Sequence, residues 1–344
     1  MVEVKINYND SWTSMPLSSL LIYYKKNSIK FRLLILNEPK LANCIFIEDN
    51  RQGKTILIDC NDSPKEILDV NVDKYFKRSF LNYFNYQNKI EPLGFTFPDY
   101  SQSLYLMMQL LKNSNYFNLI IKNKNVKIEA FRSIDICGLF TNMNAKYRNR
   151  LKWQSNEYPD NSKVLYKTRL WNPGNVIDPI KKEQREIMNQ WRISMVDFLK
   201  RRFPDYSICG IQQDDYSKTT VNNELLLPLE RMKMNLYLSE LMSCGIGIAD
   251  DGLEDTLGWK IGEFIYFGKP LVSTEIKVNL PGDFKENENY LSVSRRFDET
   301  IVGDRIEKLI SNDELRRAMS RRNLEYAKNY LIDSKMAEHI YSVI

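Results

Sequence analysis

The second half of the chain alternates short apolar segments with amphipathic ones, and this pattern constrains the fold more than any other feature. Runs rich in Val, Ile and Leu occupy residues 162–173, 206–211, 245–250 and 269–274. Helical patterns occupy residues 180–202, 230–243 and 255–268, and at least two more helices are predicted within 303–344. Strands that alternate with helices in this way form a doubly wound parallel sheet. In the helix 180–202, the spacing predicts one buried face formed by Ile187, Trp191, Met195 and Phe198 or Leu199.

The first half also predicts an α/β layer fold. VEVKI, FRLLIL, CIFIE and KTILID are typical of short strands. Helices are predicted at 71–84 and 101–113, with a strand or extended loop at 88–98 between them. The basic run 143–152 is interpreted as a solvated helix face, with contact to lipid or an anionic acceptor as the alternative.

A chain of 344 residues is long enough for two domains. The polar segment 154–162, which carries Pro, Asn, Asp and Ser, is the best linker candidate. We therefore predict a first domain at 1–158, a second at 159–325 and a C-terminal helix at 326–344 that can cross back to the first domain.

Charge and composition exclude several classes of protein. Residues 1–160 hold 22 Lys/Arg against 16 Asp/Glu, whereas residues 161–344 hold 27 against 28. The basic excess of the first half suits an anionic lipid or a phosphate-bearing partner. This excess is too small and too evenly spread to indicate a nucleic-acid partner. The five scattered cysteines give no zinc spacing and fit buried thiols in a reducing compartment. No secretory signal or membrane span is visible, so we expect a cytoplasmic protein, with peripheral membrane attachment as an option.

Polar residues cluster where the predicted strands of the second half end. Arg169 follows the first strand, residues 250–252 follow the third, and residues 273–275 follow the fourth. Ligands of open parallel sheets bind at these carboxyl ends. A helix predicted to begin near Trp259 or Lys260, directly after Gly258, would offer free N–H groups and a positive dipole end to an anion. Arg169 and Lys260 would add positive charge for a diphosphate.

The segment GLEDTLGWKIGEFIYFGKPLVSTEI, residues 252–276, resembles the donor-binding segment of the two-domain GT-B glycosyltransferases of the bacterial surface-polysaccharide type. In that family, two carboxylates with seven residues between them precede a helix, a Gly-Lys-Pro sequence and a short apolar strand. Asp255 and Glu263 have that spacing, and Gly268 begins the Gly-Lys-Pro sequence. The resemblance covers about residues 162–330. It implies the α/β GT-B fold, two Rossmann-like doubly wound domains that face a cleft.

The resemblance also implies roles for individual residues. Glu263 would accept hydrogen bonds from the ribose hydroxyls of a nucleotide sugar, and Asp255, with Glu254 beside it, would contact the sugar. Arg169 would bind the diphosphate, and Lys181 or Lys182 is the nearest counterpart of a lysine that usually follows the same strand. The full set of predicted donor-binding residues is Arg169, Gly252, Gly258, Trp259, Lys260, Glu263 and Thr274.

Each of these residues also has a purely structural interpretation. Glu263 could stabilise a helix dipole, Asp255 could be a loop acid, Arg169 could form an ordinary ion pair, and Lys260 could lie on a solvated face. Trp171 and Trp259 fit a core as well as a sugar or base platform.

The resemblance implies a transferase that needs no bound metal or cofactor and uses a nucleotide-diphosphate sugar as donor substrate. The acceptor would be a glycan or a lipid-phosphate-linked glycan. The single histidine, His339, lies near the end of the sequence, so the first domain lacks the usual general base. Asp62 and Asp59, after the KTILID strand, are the candidate bases, with Asp255 as a third catalytic candidate.

The lack of a histidine base favours retaining over inverting transfer, because a departing phosphate can take the acceptor proton itself. On the acceptor side, Lys77 and Arg78 are predicted to line the site. Three other functions stay open: a GT-B-fold nucleotide-sugar epimerase, a non-catalytic partner of another glycosyltransferase, and a phosphate-binding α/β protein of another class.

Overall fold

The computed structural model describes residues 1–6, 12–35, 38–67, 69–87, 89–99 and 161–344. The predicted helix at 101–113, the basic run 143–152 and most of the 154–162 segment lie outside these ranges. The described chain divides into two compact units. The first comprises Met1–Trp153, Val278–Gly282 and Lys328–Ile344, and the second comprises Gln154–Lys277 and Asp283–Ala327.

The first unit is built on a six-stranded mixed sheet with the order β2-β1-β3-β4-β5-β6. Its strands are β1 (Val2–Ile6), β2 (Phe31–Ile35), β3 (Cys44–Asp49), β4 (Lys54–Asp59), β5 (Lys74–Lys77) and β6 (Ile90–Pro92). Helix α1 (Ser14–Lys26) connects the parallel pair β1 and β2. Strand β3 runs antiparallel to both of its neighbours, so this sheet is only partly parallel.

The helix predicted at 71–84 is wrong, because this stretch contains strand β5 instead. β5 lies between β4 and β6 and pairs in parallel with both. Three of its four residues, Tyr75, Phe76 and Lys77, are buried, so the strand shows no alternation of apolar and polar positions. A short strand that is buried on both faces cannot be distinguished from a helix by periodicity.

The last helix of the chain, α8 (Lys335–Ser342), packs against α1 within the first unit. The Ala337 amide donates a hydrogen bond to the Ser19 hydroxyl at 3.1 Å. The Tyr24 and Tyr341 hydroxyls are hydrogen-bonded at 2.9 Å. The final helix therefore belongs to the first unit and packs there on α1.

The second unit holds a six-stranded sheet in which every neighbouring pair is parallel. Its strands are β7 (Val164–Thr168), β8 (Ser207–Gln212), β9 (Leu226–Leu227), β10 (Ile246–Ala249), β11 (Leu271–Thr274) and β12 (Leu291–Val293). Its helices are α2 (Pro179–Arg202), α3 (Asp215–Thr220), α4 (Met234–Ser243), α5 (Trp259–Tyr266), α6 (Glu299–Ser311) and α7 (Asp313–Tyr330). The four predicted strands are confirmed, and the short edge strands β9 and β12 are additions to them.

The order of this sheet is β12-β11-β10-β7-β8-β9. Counted along the unit, this is the 3-2-1-4-5-6 order of the doubly wound dinucleotide-binding fold. The strand order reverses between β7 and β10, which places the topological switch point at their carboxyl ends. The α/β class and the doubly wound parallel sheet predicted from the sequence are confirmed.

Helix α2 packs on this sheet with a largely apolar face. Trp191, Met195, Phe198 and Leu199 are buried in the core of the unit, as predicted. Ile187 is 45% exposed, so its predicted place on the buried face is wrong, and Met188 is buried instead. The same buried face also carries two polar residues, Asn189 and Arg192.

Candidate functional site

The carboxyl ends of β7 and β10 meet at the switch point, and polar side chains occupy it. Asp250 directly follows β10 and is buried. Its carboxylate accepts hydrogen bonds from Arg192 Nε at 2.7 Å and from the Tyr166 hydroxyl at 3.1 Å. Arg192 Nη1 also donates to the Arg169 carbonyl at 2.7 Å. One buried ion pair therefore connects the ends of the two strands through helix α2.

Lys260, in the first turn of α5, belongs to the same cluster. Its Nζ donates to the main-chain carbonyl of Lys167 in β7. Burial lowers the Lys260 pKa to about 8; nearby Asp250 and Glu263 oppose this shift, and Arg192 and Arg169 add to it. The interpretation of Lys260 as a solvated helix residue is therefore wrong. The same interactions show that Lys260 lies within electrostatic range of both Arg169 and Glu263.

Arg169 directly follows β7, and its guanidinium lies over the Trp171 ring, 4.0 Å from the centroid. The residue is exposed. Within the described ranges, no carboxylate lies within ion-pairing distance of this guanidinium. The alternative of an ordinary salt bridge is therefore not supported. The arginine is held on an aromatic surface with its hydrogen-bond donors available.

Helix α5 begins at this site, with Gly258 as its N-cap and a half-buried Trp259 as its first residue. A Cβ on Gly258 would lie 2.7 Å from the main-chain carbonyl oxygen of Asp250, closer than any side chain can sit. Glycine therefore lets the start of α5 approach the end of β10. The first-turn N–H groups of a helix provide partial positive charge for an anion.

Glu263 lies one turn further along α5 and is 5% exposed. Its Oε2 accepts a hydrogen bond from the Tyr237 hydroxyl of α4 at 2.9 Å. Glu263 thus sits in the body of α5 rather than at its N-terminus, and a partner from α4 orients it. This position does not favour the interpretation as a residue that only stabilises the helix dipole.

The loop between β10 and α5 is held by ion pairs. Arg295 donates to Asp255 at 2.7 Å and to the Gly252 carbonyl at 3.2 Å, and Lys277 pairs with Asp255 at 3.2 Å. Glu254 and Asp255 adopt left-handed backbone conformations, with φ of 57° and 59°. Such conformations cost about 1–2 kcal/mol per non-glycine residue, so the surrounding contacts must hold them.

Two further contacts fix this loop. Glu254 pairs with Lys181 of α2 at 2.9 Å. Of Lys181 and Lys182, the two candidates for the lysine that follows β7 in the family, Lys181 therefore lies at this loop. Asp251 pairs with Arg295 at 2.9 Å, accepts from the Thr274 hydroxyl at 3.0 Å, and donates its own amide to that hydroxyl at 2.8 Å. Burial raises the pKa of Asp251 to about 6, against the effect of Arg295. Thr274, at the end of β11, is therefore engaged in fixing the loop.

In the first unit, Asp59 ends β4 and is fully buried. Its carboxylate accepts from Lys77 Nζ at 2.6 Å, from the Tyr75 hydroxyl at 2.7 Å, and from the Asn61 amide and side chain at 2.9 and 2.8 Å. Four donors occupy its lone pairs, so Asp59 has no free site for an acceptor proton. The geometry points to a structural role for Asp59 and its buried partner Lys77, in place of the predicted catalytic and acceptor-side roles.

Asp62 lies in the loop after β4 and is partly exposed. Arg78 Nη1 donates to its Oδ1 at 2.5 Å, and the Arg78 guanidinium lies 5.2 Å from the Trp12 ring centroid. Arg78 itself is fully buried, so its predicted place on an acceptor surface is not supported. Of the two candidate bases in this unit, Asp62 is the one with an accessible carboxylate.

Sequence reasoning missed four residues of the second-unit site: Asn189, Arg192, Tyr237 and Arg295. Asn189 and Arg192 left one signal, since both are polar at positions on the apolar face of a helix. Arg295 follows β12, a strand that was not predicted, so its position at a strand end was not apparent. Tyr237 left no signal, because its role depends on packing between α4 and α5.

Other features of the described residues bear on the site. No group of three or more His, Cys, Asp or Glu side chains in the described ranges is arranged to hold a metal ion. Cys44, Cys60, Cys209 and Cys244 are buried free thiols. None of the helices that the structure describes has both the length and the hydropathy needed to cross a bilayer.

No protein-family model matches the chain, and no curated protein matches it. Among solved structures, it is similar to sucrose-phosphate synthase from Thermosynechococcus elongatus, with a TM-score of 0.35 and 9% identity over 57% of this chain and 47% of that protein. It is also similar to a mutant of TarM from S. aureus in complex with fondaparinux, alpha-GlcNAc-glycerol and UDP, with a TM-score of 0.39 and 10% identity over 87% of this chain and 64% of that protein. The chain thus spans about half and just under two thirds of their lengths. The α/β class of the chain rests on its own two sheets and the helices that connect their strands.

Proposed function

We propose that the protein is a glycosyltransferase that moves a sugar from a nucleotide-diphosphate donor to a glycan or lipid-linked acceptor. One observation carries this proposal: the switch point of the parallel sheet gathers Arg169, Lys260 and Glu263 beside the N-terminus of α5. Ligands of doubly wound folds bind at this position. Two cations and a helix N-terminus suit a diphosphate, and a nearby buried carboxylate suits sugar hydroxyls.

The proposed reaction replaces one bond to the anomeric carbon with another. The bond between that carbon and the diphosphate oxygen breaks, and a bond to the acceptor oxygen forms. The negative charge that develops on the departing diphosphate meets the α5 N–H groups, the Arg169 guanidinium and the Lys260 ammonium. In this proposal these groups do the work that a metal ion does in other transferases.

Glu263 supports the donor half of the proposal through its geometry. The Tyr237 hydroxyl fixes Oε2, and the carboxylate lies within electrostatic range of Lys260. A carboxylate held in this way can accept two hydroxyl groups of a ribose as strong, charge-assisted hydrogen bonds. Asp255 is proposed to contact the sugar through the loop that Arg295 and Lys277 hold.

The acceptor proton has two proposed destinations. In inverting transfer it would pass to Asp62, and in retaining transfer it would pass to the departing phosphate. Substitution of Asp62 by Asn, measured as turnover with a productive acceptor, distinguishes them. Loss of about 10²–10⁴-fold supports a general base, and unchanged turnover supports the phosphate. The exposed Asp69, whose left-handed backbone Asn tolerates well, provides a matched control variant, Asp69→Asn.

The acceptor side of the proposal depends on charge. The first 160 residues carry 22 Lys/Arg against 16 Asp/Glu, which suits a phosphate-bearing acceptor at an anionic membrane surface. Surface-polysaccharide synthesis at the cytoplasmic face of the plasma membrane is the setting we propose. Co-sedimentation with vesicles of phosphatidylglycerol, against vesicles of phosphatidylcholine, tests this part separately.

A panel of nucleotide sugars, assayed for release of nucleoside diphosphate with and without glycan acceptors, tests the central proposal. We expect one donor to give acceptor-dependent release that Arg169→Ala strongly reduces. A changed sugar without an acceptor would instead indicate an epimerase. Absence of any nucleotide binding in calorimetry would contradict the proposal and favour a non-catalytic partner. The anomeric configuration of the product, read by NMR, decides between retention and inversion.

A further inference from the structure

Helix α2 presents three polar side chains to the turn that follows β7. Arg185 Nη1 donates to the Asn172 carbonyl at 2.8 Å, Asn189 Nδ2 to the Trp171 carbonyl at 2.7 Å, and Arg192 Nη1 to the Arg169 carbonyl at 2.7 Å. These three residues are spaced four and three positions apart, so they lie on one face of the helix. Three carbonyls of the turn that carries Arg169 thus receive a donor from the same rigid element.

Asn189 has the most specific geometry of the three. Its Oδ1 accepts from the Trp171 amide at 2.8 Å while its Nδ2 donates to the carbonyl of the same residue. The residue is 3% exposed, so these hydrogen bonds are shielded from bulk water. The Asn amide carries its donor and its acceptor on two separate atoms, whereas an ionised Asp offers acceptors alone.

Trp171 in turn supports Arg169. The Arg169 guanidinium lies 4.0 Å from the Trp171 ring centroid, and the guanidinium of Arg185 lies 5.6 Å from the same centroid. Leu170, between the two residues, is buried and anchors the turn in the core. The two hydrogen bonds fix the backbone from which the Trp171 ring projects, and the ring is the surface on which Arg169 rests.

We propose that Asn189 is a positioning residue: it clamps Trp171 so that Arg169 is held in place to bind the donor diphosphate. The inference rests on the proposed function, because it assigns the purpose of the clamp to diphosphate binding. Asn189 is too deeply buried to contact the donor itself. It acts through Trp171 and Arg169.

The test uses Asn189→Ala and a matched control, Asn323→Ala. Asn323 is also fully buried and clamps main-chain carbonyls, those of Lys269 and Asn289 at 2.8 and 2.9 Å. It therefore reports the general cost of losing a buried asparagine clamp in the same unit. Both variants are first compared by thermal unfolding, so that binding is measured only where the protein is folded.

Binding of UDP, GDP, ADP and dTDP is measured by calorimetry in wild-type and Arg169→Ala backgrounds. In the wild-type background, we expect Asn189→Ala to weaken the affinity for the bound nucleotide by about tenfold or more. In the Arg169→Ala background, we expect Asn189→Ala to have no further effect on that affinity. Asn323→Ala should change the affinity less than about twofold. Equal losses from Asn189→Ala in both backgrounds, or a loss no greater than that of Asn323→Ala, would overturn the inference.

Hydrogen–deuterium exchange of the Trp171 amide needs no ligand. It distinguishes the failure of the Asn189 clamp from the failure of the proposed function. We expect about tenfold faster exchange in Asn189→Ala and unchanged exchange in Asn323→Ala. Unchanged exchange in Asn189→Ala would show that there is no clamp. Faster exchange in a protein that binds none of the four nucleotides would contradict the proposed function, and with it the purpose we assign to the clamp.

Discussion

The Lys260 ammonium donates to the main-chain carbonyl of Lys167. This hydrogen bond connects the first turn of α5 to the carboxyl end of strand β7. The two residues are 93 positions apart in the sequence. The contact holds a positive charge near the carboxyl ends of β7 and β10, the two strands between which the strand order of the sheet reverses. Burial lowers the Lys260 pKa to about 8, so this charge changes within the pH range in which the protein can be studied.

Nucleotide affinity should therefore fall as the pH rises above 8. Below pH 8 the free protein carries the Lys260 ammonium, which attracts a diphosphate, whereas above pH 8 binding requires uptake of a proton. The loss should approach tenfold per pH unit at most. Calorimetry at pH 7.5, 8.5 and 9.5 checks this, because the diphosphate is fully ionised throughout. Lys260→Arg stays charged and should show no slope, and a slope equal to that of the wild type would exclude Lys260 as its source.

Glu263→Gln should weaken nucleotide-sugar binding by roughly 10–100-fold, because hydrogen bonds to a charged acceptor contribute about 1.5–3 kcal/mol. The substitution keeps the shape of the side chain and an acceptor for the Tyr237 hydroxyl, which lies 2.9 Å from Oε2. Tyr237→Phe is the control, since it removes that partner and leaves the carboxylate. Calorimetry with the productive donor measures both. Unchanged affinity in Glu263→Gln would remove this residue from the donor site.

Gly258→Ala should reduce both stability and donor affinity. The φ of Gly258 is −70°, which alanine adopts freely, so the effect comes from the Cβ that would lie 2.7 Å from the Asp250 carbonyl oxygen. We expect a loss of about 1–3 kcal/mol in the free energy of unfolding, as for other overpacked sites. Urea denaturation measures it. Gly303→Ala in α6 is the control: its Cβ would lie 3.3 Å from one Phe198 ring atom, and its effect should stay within about 1 kcal/mol.

Asp59→Ala should destabilise the first unit strongly, because it leaves the Lys77 ammonium buried without its carboxylate. Removal of one partner of a buried ion pair costs about 3–5 kcal/mol. Replacement of Lys77 by Met in the same protein should recover much of this loss, since no unpaired charge then remains. Urea denaturation of the two single variants and the double variant gives the coupling free energy. Additive losses would contradict the structural role that we assign to Asp59.

The second unit was the easier one to predict from the sequence, and its residues show why. Buried parallel strands are mainly apolar, so β7, β8, β10 and β11 are clear in the sequence, and ligands bind where such strands end. Arg169 and Asp250 could therefore be located without coordinates. Edge strands of two or three residues, such as β9 and β12, are too short to leave such a pattern.

The rest depends on contacts between residues that are distant in sequence. The strand β5 holds Lys77 only because Asp59 of β4 neutralises it, and no local pattern reveals that pairing. The spacing of Asp255 and Glu263 could be read directly, but the environment of Lys260 could not. Its hydrogen-bond acceptor is the Lys167 carbonyl of β7, and the charges that act on it come from Asp250 after β10 and from Arg192 of α2. Charged residues that pair across elements are the ones for which sequence interpretation fails here.

Residues 328–344 return to the first unit, and this affects the order in which parts of that unit can pack during synthesis. A ribosome that has synthesised Met1–Trp153 has not yet made α8, whose Met336, Ala337 and Ile340 are buried in that unit. The uninterrupted stretch Gln154–Lys277 is complete much earlier, and Asp283–Ala327 follows before α8. The stretch that carries α1 is therefore synthesised well before the helix that packs against it, whereas both segments of the second unit are made before α8.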